Sequence, residues 1–338
     1  MHLLLPASWD GSQLSRRTLL KSLGAMSFAA LGSGSAEAEN FPNRAIRIIV
    51  PTSAGGGNDI IARVISQRLN EVWGRPVVVE NRPGADGTIG AAVVAKSPPD
   101  GYTLLLCTNA VLSINPPLYP HLPYDPLKDF TPITVASLSP FLLVVHPSLP
   151  VTTVAELIAY AKAHPMELNY SSSGTGSVTH LAGALFNKMA GIKTVHVPYR
   201  GSAPAITDLL SGRIQMRFSA IAPILPLVRA GQLRAIAVTS ADRFGLMRDL
   251  PTVAATIPGY VATIWYGLVG PAGMASDVAG TIHSEVVRQL TAADVIAKLV
   301  ADGSEAVGNS PAQFAELMRT ESTKWSEIIR ESAIQLEK

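Results

Sequence analysis

Apolar residues along this chain recur at two spacings. Ile46, Ile48, Ile49 and Val50 form a short, almost continuous run, as expected for a strand covered on both faces. Pro51 ends the run, and Gly55, Gly56 and Gly57 follow. Ile61, Val64, Ile65, Leu69 and Val72 then repeat at helical spacing until Gly74. Asn58 or Asp59 is the expected cap of a helix that starts at Ile60. Residues 76–80 predict a second strand, the glycine cluster at 83–88 opens a helix over 90–96, and residues 102–108 predict a third strand. Strands alternating with helices in this way predict a parallel sheet with helices on both faces.

The pattern then changes and later returns. Residues 130–146 predict two β-rich pieces broken at Ser139-Pro140. Thr153 and Glu156 have capping-box spacing at the head of a helix. Asn169-Tyr170 leads into Ser171-Ser172-Ser173-Gly174-Thr175-Gly176-Ser177, and a helix over 180–189 follows. This is a second strand, turn and helix of the same design, without sequence repetition. Strands are predicted at 194–199, 214–218 and 233–239, with helices at 203–210 and 224–229. A strand-like segment at 266–271 and amphipathic helices at 279–290 and 311–329 close the chain. Two α/β domains follow, residues 39–138 with 265–338 and residues 139–264. Their crossovers, near 137–141 and 260–266, make a hinge, and each domain offers a turn rich in backbone donors to the cleft.

Composition adds limits. Of 338 residues, 47% are hydrophobic and 15% charged, which supports a large core. A formal net charge of +2 supplies no basic field for nucleic acid. Arg16-Arg17 before an apolar Gly/Ala-rich run, then Ala36-Glu37-Ala38, reads as an export signal over residues 1–38. It is twin-arginine-like, with an ordinary Sec signal as the alternative. Residues 1–14 are a long preface, so a start further in is expected. Cleavage would leave a periplasmic protein. Cys107, the single cysteine, lies beside Leu104, Leu105 and Leu106 and reads as a small buried hydrophobe.

The first turn is a seat for an anion, because it aims backbone N–H groups at one spot on the positive end of a helix. The order A-G-G-G-N-D fails the G-x-G-x-x-G spacing of dinucleotide folds, although Glu80 ends the second strand where an acidic residue belongs. Asn58-Asp59-Ile60 stands where a P-loop needs its lysine. Around Ser171 to Ser177 the S-G-T-G-S order is not a hydrolase elbow. His180 and Asp208 are conceivable partners of a serine there, but a lone histidine in a first helical turn is more often structural. The seven histidines are scattered without metal-ligand spacing, so no metal or cofactor is expected. Binding remains. Thr52, Ser53, Ser172, Thr175 and Ser177 add hydroxyl donors to the turn amides, a donor set that suits a carboxylate. Arg200 is either an added charge or a surface residue.

Six stretches, FPNRAIRIIVPTSAGGGNDIIAR, VVVENRPGADGTIGAAVVAKSPPDGYTLLL, NYSSSGTGSVTHLAG, VPYRGSAPAITDLLSGRIQ, LRAIAVTSADR and WYGLVGPAG, together carry a resemblance. The chain resembles the Bug receptors, the TctC-like periplasmic solute-binding proteins of tripartite tricarboxylate transporters. The resemblance implies two Rossmann-like α/β domains joined by a hinge, a Venus flytrap of periplasmic-binding-protein type II, without enzymatic activity. It implies a small organic acid held by its carboxylate in the cleft and delivered, by a monomer, to membrane subunits of TctA/TctB type. Carried over, the first loop supplies Thr52, Ser53, Gly56, Gly57, Asn58 and Asp59, and the second Ser172, Gly174, Thr175, Gly176 and Ser177. Thr108 and Asn109 line the cleft, and Tyr199, Ser202, Ser219 and Trp265 lie near the ligand's far end. An exported hydrolase acting on a small carboxylate is the alternative, to be recognised by a nucleophile–base pair at the anion site. A ligand-sensing subunit of a signalling system would share the fold.

Three departures from the family pattern stand out. Thr52 replaces a usual phenylalanine, and Ser171 a usual glycine. The common M-F-D-[NS] is here Arg217-Phe218-Ser219-Ala220, so a cleft aspartate has become serine and the ligand is expected to be a dicarboxylate or aromatic carboxylate rather than an amino acid. Arg217 and Phe218 alternate along a strand, so only one of them faces the ligand.

Overall fold

A computed structural model describes residues 41–336; the expected signal at 1–38 lies outside the described residues. The first strand, β1 (Ile46–Val50), is buried except at Arg47. Helix α1 (Gly57–Trp73) leads to β2 (Val77–Asn81), and α2 (Thr88–Ala95) to β3 (Thr103–Thr108). Both strands pair in parallel with β1, as the alternating pattern predicts. Helix α1 starts three residues earlier than expected. Gly56 is its cap, with extended backbone and no side-chain bond, so neither Asn58 nor Asp59 takes that role. Both sit inside the first turn, where the Asp59 carboxylate reaches back to accept the Gly55 N–H at 2.9 Å. At the other end Gly74 closes the helix in the left-handed region, its N–H on the Asn70 carbonyl.

A wide helical turn (Ala110–Ile114) and the short α3 (Asn115–Leu118) precede β4 (Phe130–Val145). In place of two pieces broken at Ser139-Pro140, β4 is one strand of 16 residues. Proline cannot donate to a ladder, and Pro140 falls where the ladder changes partner, so the strand survives it. The second half of the chain follows the predicted order. It contains α4 (Val154–Ala163), β5 (Asn169–Ser172), α5 (Val178–Ala190), β6 (Val195–Pro198), α6 (Ser202–Leu210), β7 (Met216–Ala220), α7 (Ile221–Arg229) and β8 (Arg234–Val238). The Thr153–Glu156 capping box heads α4 in both of its bonds. The return is made by β9 (Thr263–Pro271), α8 (Ser276–Leu290), α9 (Ala293–Ala301), β10 (Glu305–Ala306) and α10 (Pro311–Glu331). Of these, α9 and β10 had no counterpart in the sequence reading.

Strand order is β2-β1-β3-β9-β4-β7-β5-β6, with β8 and β10 also on β4. Up to Pro140, β4 pairs antiparallel with β9; from Phe141 it pairs with β7 and β8. Two apolar layers sandwich the β1–β3–β9 sheet and two more the β5–β7–β4 sheet. Helix α10 belongs to both sets. Phe314 and Met318 pack beside Trp265 and Val269, whereas Trp325, Ile328 and Ile329 pack with Phe186, Phe218 and Tyr260. Cys107 is free and fully buried, and burial pushes its thiol well above the ordinary range.

Candidate functional site

A cavity of about 490 Å³ opens where the two turns meet. Thr52, Asp86 and Thr108 form one wall, Ser173 to Thr179 with Ser202 and Ala220 the other, and Phe141 and Ile264 of the crossing strands line it as well. Leu118, Tyr119 and Leu336 also border it.

The second turn is built from its own side chains. Ser177 caps α5 by accepting the His180 N–H, and its hydroxyl donates to the Gly174 carbonyl at 2.6 Å. Thr179 accepts the Ser173 N–H. Ser172 accepts the Gly174 N–H at 3.1 Å and bonds the Gly174 carbonyl at 3.0 Å. Gly174 and Gly176 adopt φ of 137° and 79°, which few other residues tolerate. Behind this turn the fold brings together two histidines. His180 and His196 stack with ring centroids 3.6 Å apart and 6° from parallel. His180 Nδ1 accepts the Gly176 N–H, and His196 Nε2 bonds Ser172 Oγ at 2.7 Å. Burial holds both rings neutral, lowering His180 to about 3, with some help from His196, and His196 to about 4. Residue order alone does not reveal this pair, because one ring is on a helix and the other on the adjacent strand. Among the described residues no group of three or more His, Cys, Asp or Glu is placed to hold a metal ion.

Of the residues named from sequence, Thr52, Thr108, Gly174, Thr175, Gly176, Ser177 and Ser202 line the cavity. Tyr199 and Arg200 instead line an adjoining pocket of about 520 Å³ that shares Asp86, Tyr119, Gly174, Thr175 and Leu336 with it. The Tyr199 hydroxyl is held by Asp208 at 2.7 Å. Ser53 and Gly56 face solvent. Asp59 is occupied locally: Arg63, with Gly55 and Asn81, holds its carboxyl below the usual range. Ser172 is fully buried beneath the turn. Asn109 is also buried, its amide donating to the Thr263 carbonyl, and Trp265 packs edge-on against Phe314. Gly57 lies against the Tyr266 hydroxyl.

Several of these side chains share an unusual property. Thr52 Oγ1, Asn58 Oδ1, Asn109 Oδ1, Ser219 Oγ and Trp265 Nε1 are buried without a hydrogen-bond partner. Buried polar atoms are nearly always paired; of these, Thr52 lines the cavity, and Asn109, Ser219 and Trp265 stand next in sequence to its lining residues Thr108, Ala220 and Ile264. One further residue went unrecognised in sequence. Asp86, at φ 50°, presents a carboxylate to the cavity and accepts the Tyr119 hydroxyl. Arg217 lies on the face of β7 opposite Phe218, which is in the core with Phe186 and Tyr260.

The glycines of the first turn differ in what they tolerate. A Cβ on Gly57 would stand 2.4 Å from the Tyr266 hydroxyl, whereas one on Gly56 meets nothing nearer than the Ser53 carbonyl at 3.8 Å. Gly56 has ordinary extended backbone, φ −84° and ψ 169°. Gly57→Val should therefore destabilise by about 1–3 kcal/mol in chemical denaturation, through overpacking, and Gly56→Val by less than about 0.5 kcal/mol. Equal costs would show that Tyr266 does not set the constraint.

A curled mixed sheet of two α/β halves, with a cavity between their turns, defines the two-domain, Venus-flytrap class of periplasmic binding protein. The chain belongs to the tripartite tricarboxylate transporter receptor family, whose description, "Tripartite tricarboxylate transporter family receptor", matches residues 61–334. Protein BugT of Bordetella pertussis is 35% identical, over 88% of this chain and 92% of its own. The structure of R. palustris Rpa4515 with adipate is 37% identical with a TM-score of 0.74, covering 88% of this chain and 100% of that one. MatC from Rhodopseudomonas palustris with bound malate is 30% identical with a TM-score of 0.69, covering 86% and 100%. Among the described residues no helix is long and apolar enough to cross a membrane.

Proposed function

We propose that this protein is a periplasmic, monomeric receptor that captures a small organic acid by its carboxylate and hands it to membrane subunits of TctA/TctB type. The observation that carries the reading is the cavity between the two turns, to which Thr52, Thr108, Ser173, Thr175, Ser177 and Ser202 bring hydroxyls and the second turn its backbone, with Asp86 as a carboxylate at its border. Neutral donors bind a carboxylate while permitting its release. The adipate and malate in the two structural relatives are acids of this kind. Residues 39–138 with 265–338 move against 139–264, and β4 and β9 are the segments that flex. Closure expels water and strengthens each bond to the acid.

An exported hydrolase is the second reading, because Ser172 and His196 are at nucleophile–base distance. Ser172 Oγ, however, is fully buried and already engaged with both polar groups of Gly174, so it reaches no substrate. A thermal-shift screen of adipate, malate, succinate and benzoate against neutral sugars and metal cations tests the reading. At least one carboxylate should stabilise the fold, by about 2.7 kcal/mol at 100 times its dissociation constant. Stabilisation by sugars or cations alone would overturn it.

A further inference from the structure

Arg217 is fully buried on β7. Its Nη1 donates to Ser171 Oγ at 3.2 Å, and its Nη2 donates to Ser173 Oγ and Ser202 Oγ, each at 3.1 Å. Its Nε has no partner. Among the described residues no carboxylate pairs with it; Asp208, on neighbouring α6, is held by Arg213 and Tyr199. A buried cation without a counter-charge is strongly disfavoured. Burial lowers Arg217 to about 10, which still leaves it charged at neutral pH.

The two serines connect this charge to the cavity. Ser173 and Ser202 both line it, and their oxygens are 3.0 Å apart. Both oxygens accept from the guanidinium, so one hydroxyl proton bridges the pair and the other is free to point into the cavity. A hydroxyl that accepts from a cation is a stronger donor.

We propose that Arg217 is the fixed positive charge of the ligand cavity, acting through Ser173 and Ser202 to select a carboxylate. This rests on the receptor reading and assigns its charge selectivity to a positioning residue. The test takes whichever of adipate, malate, succinate and benzoate stabilises the wild-type protein most and titrates it calorimetrically into wild type, Arg217→Met and Arg217→Lys. Arg217→Met should weaken binding by about 100-fold, while the ligand-free Tm holds or rises because an unpaired buried charge has been removed. Arg217→Lys should bind within about tenfold of wild type. A merely structural tie predicts the reverse, a lower ligand-free Tm in Arg217→Met with the affinity of the folded protein kept. Affinity of Arg217→Met within about threefold of wild type overturns the proposal, as does a lysine variant no better than methionine. If Arg217→Met does not fold, Ser202→Ala decides. Ser202 is exposed, so this variant should keep its Tm and bind about tenfold more weakly; unchanged affinity overturns the proposal. If no carboxylate binds wild type, the receptor reading fails and the proposal with it. Carboxylate binding that the variants leave intact sinks the proposal alone.

Discussion

Trp325→Ala should destabilise the protein by about 3–5 kcal/mol, the range for emptying a buried indole site. In a thermal melt that is a fall of roughly 5–10 °C for a chain of this size. Trp325 is 0% exposed, and its Nε1 donates to Glu321 one turn earlier at 2.7 Å. Lys324 lies over its ring at 4.2 Å. The hole cannot close cheaply, because the surrounding core residues are fixed on the sheet and on α5. The effect should not stay local, since the other end of the same helix packs Phe314 and Met318 into the first-half core. A shift below about 2 °C would mean that α10 is not what joins the two cores.

Acid should weaken the fold well before the carboxylates titrate. His180 has its ordinary value of 6.5 when unfolded and about 3 when folded, so between these limits the unfolded chain binds a proton that the folded one refuses. Stability is full above pH 6.5 and is lost progressively as pH falls toward 3. At pH 5 His180 alone accounts for about 2 kcal/mol. His196, lowered to about 4, adds in the same direction. Melts at pH 7 and pH 5 should differ by several degrees, and His180→Gln should remove much of that difference. Groups such as Asp59, held below the usual carboxylate range by Arg63, add their own loss only at lower pH. A flat profile from pH 7 to pH 5 would mean that the stacked pair takes up protons without cost. The two rings hold the Gly174 to Gly176 turn from behind, so ligand affinity should fall over the same window.

Elements whose residues repeat at a clear period were legible in the sequence. The runs at Ile46 and Leu104 read as buried strands and are strands, and the Thr153–Glu156 box marks a helix start to the residue. Misreadings arose where a local rule met a tertiary one. Pro140 signals a break by itself, yet the ladder it interrupts is being exchanged there for another. The site was legible as two turns, since glycine and serine clusters show wherever they fall. The individual side chains were less so. Whether Asp59 faces a ligand or its own loop depends on Arg63 one turn along, and nothing in the order of residues brings Arg217 to Ser202. His180 and His196 are 16 positions apart, and only the pairing of β5 with β6 beside α5 stacks them.

The pairing of β3 with β9 has a consequence for the order in which the chain can be completed. Leu105 meets Val269, and β4 pairs with the same strand from Phe130 to Pro140. During synthesis the first three strands therefore wait, one edge bare, while the whole second half is made. An N-terminal fragment ending before Thr263 should collapse or aggregate through that edge. Contacts this remote in sequence also make for slow closure. The protein is committed to folding late, when nearly all of its length is present, and whatever keeps the early strands soluble until then is as much a requirement of this architecture as its cores.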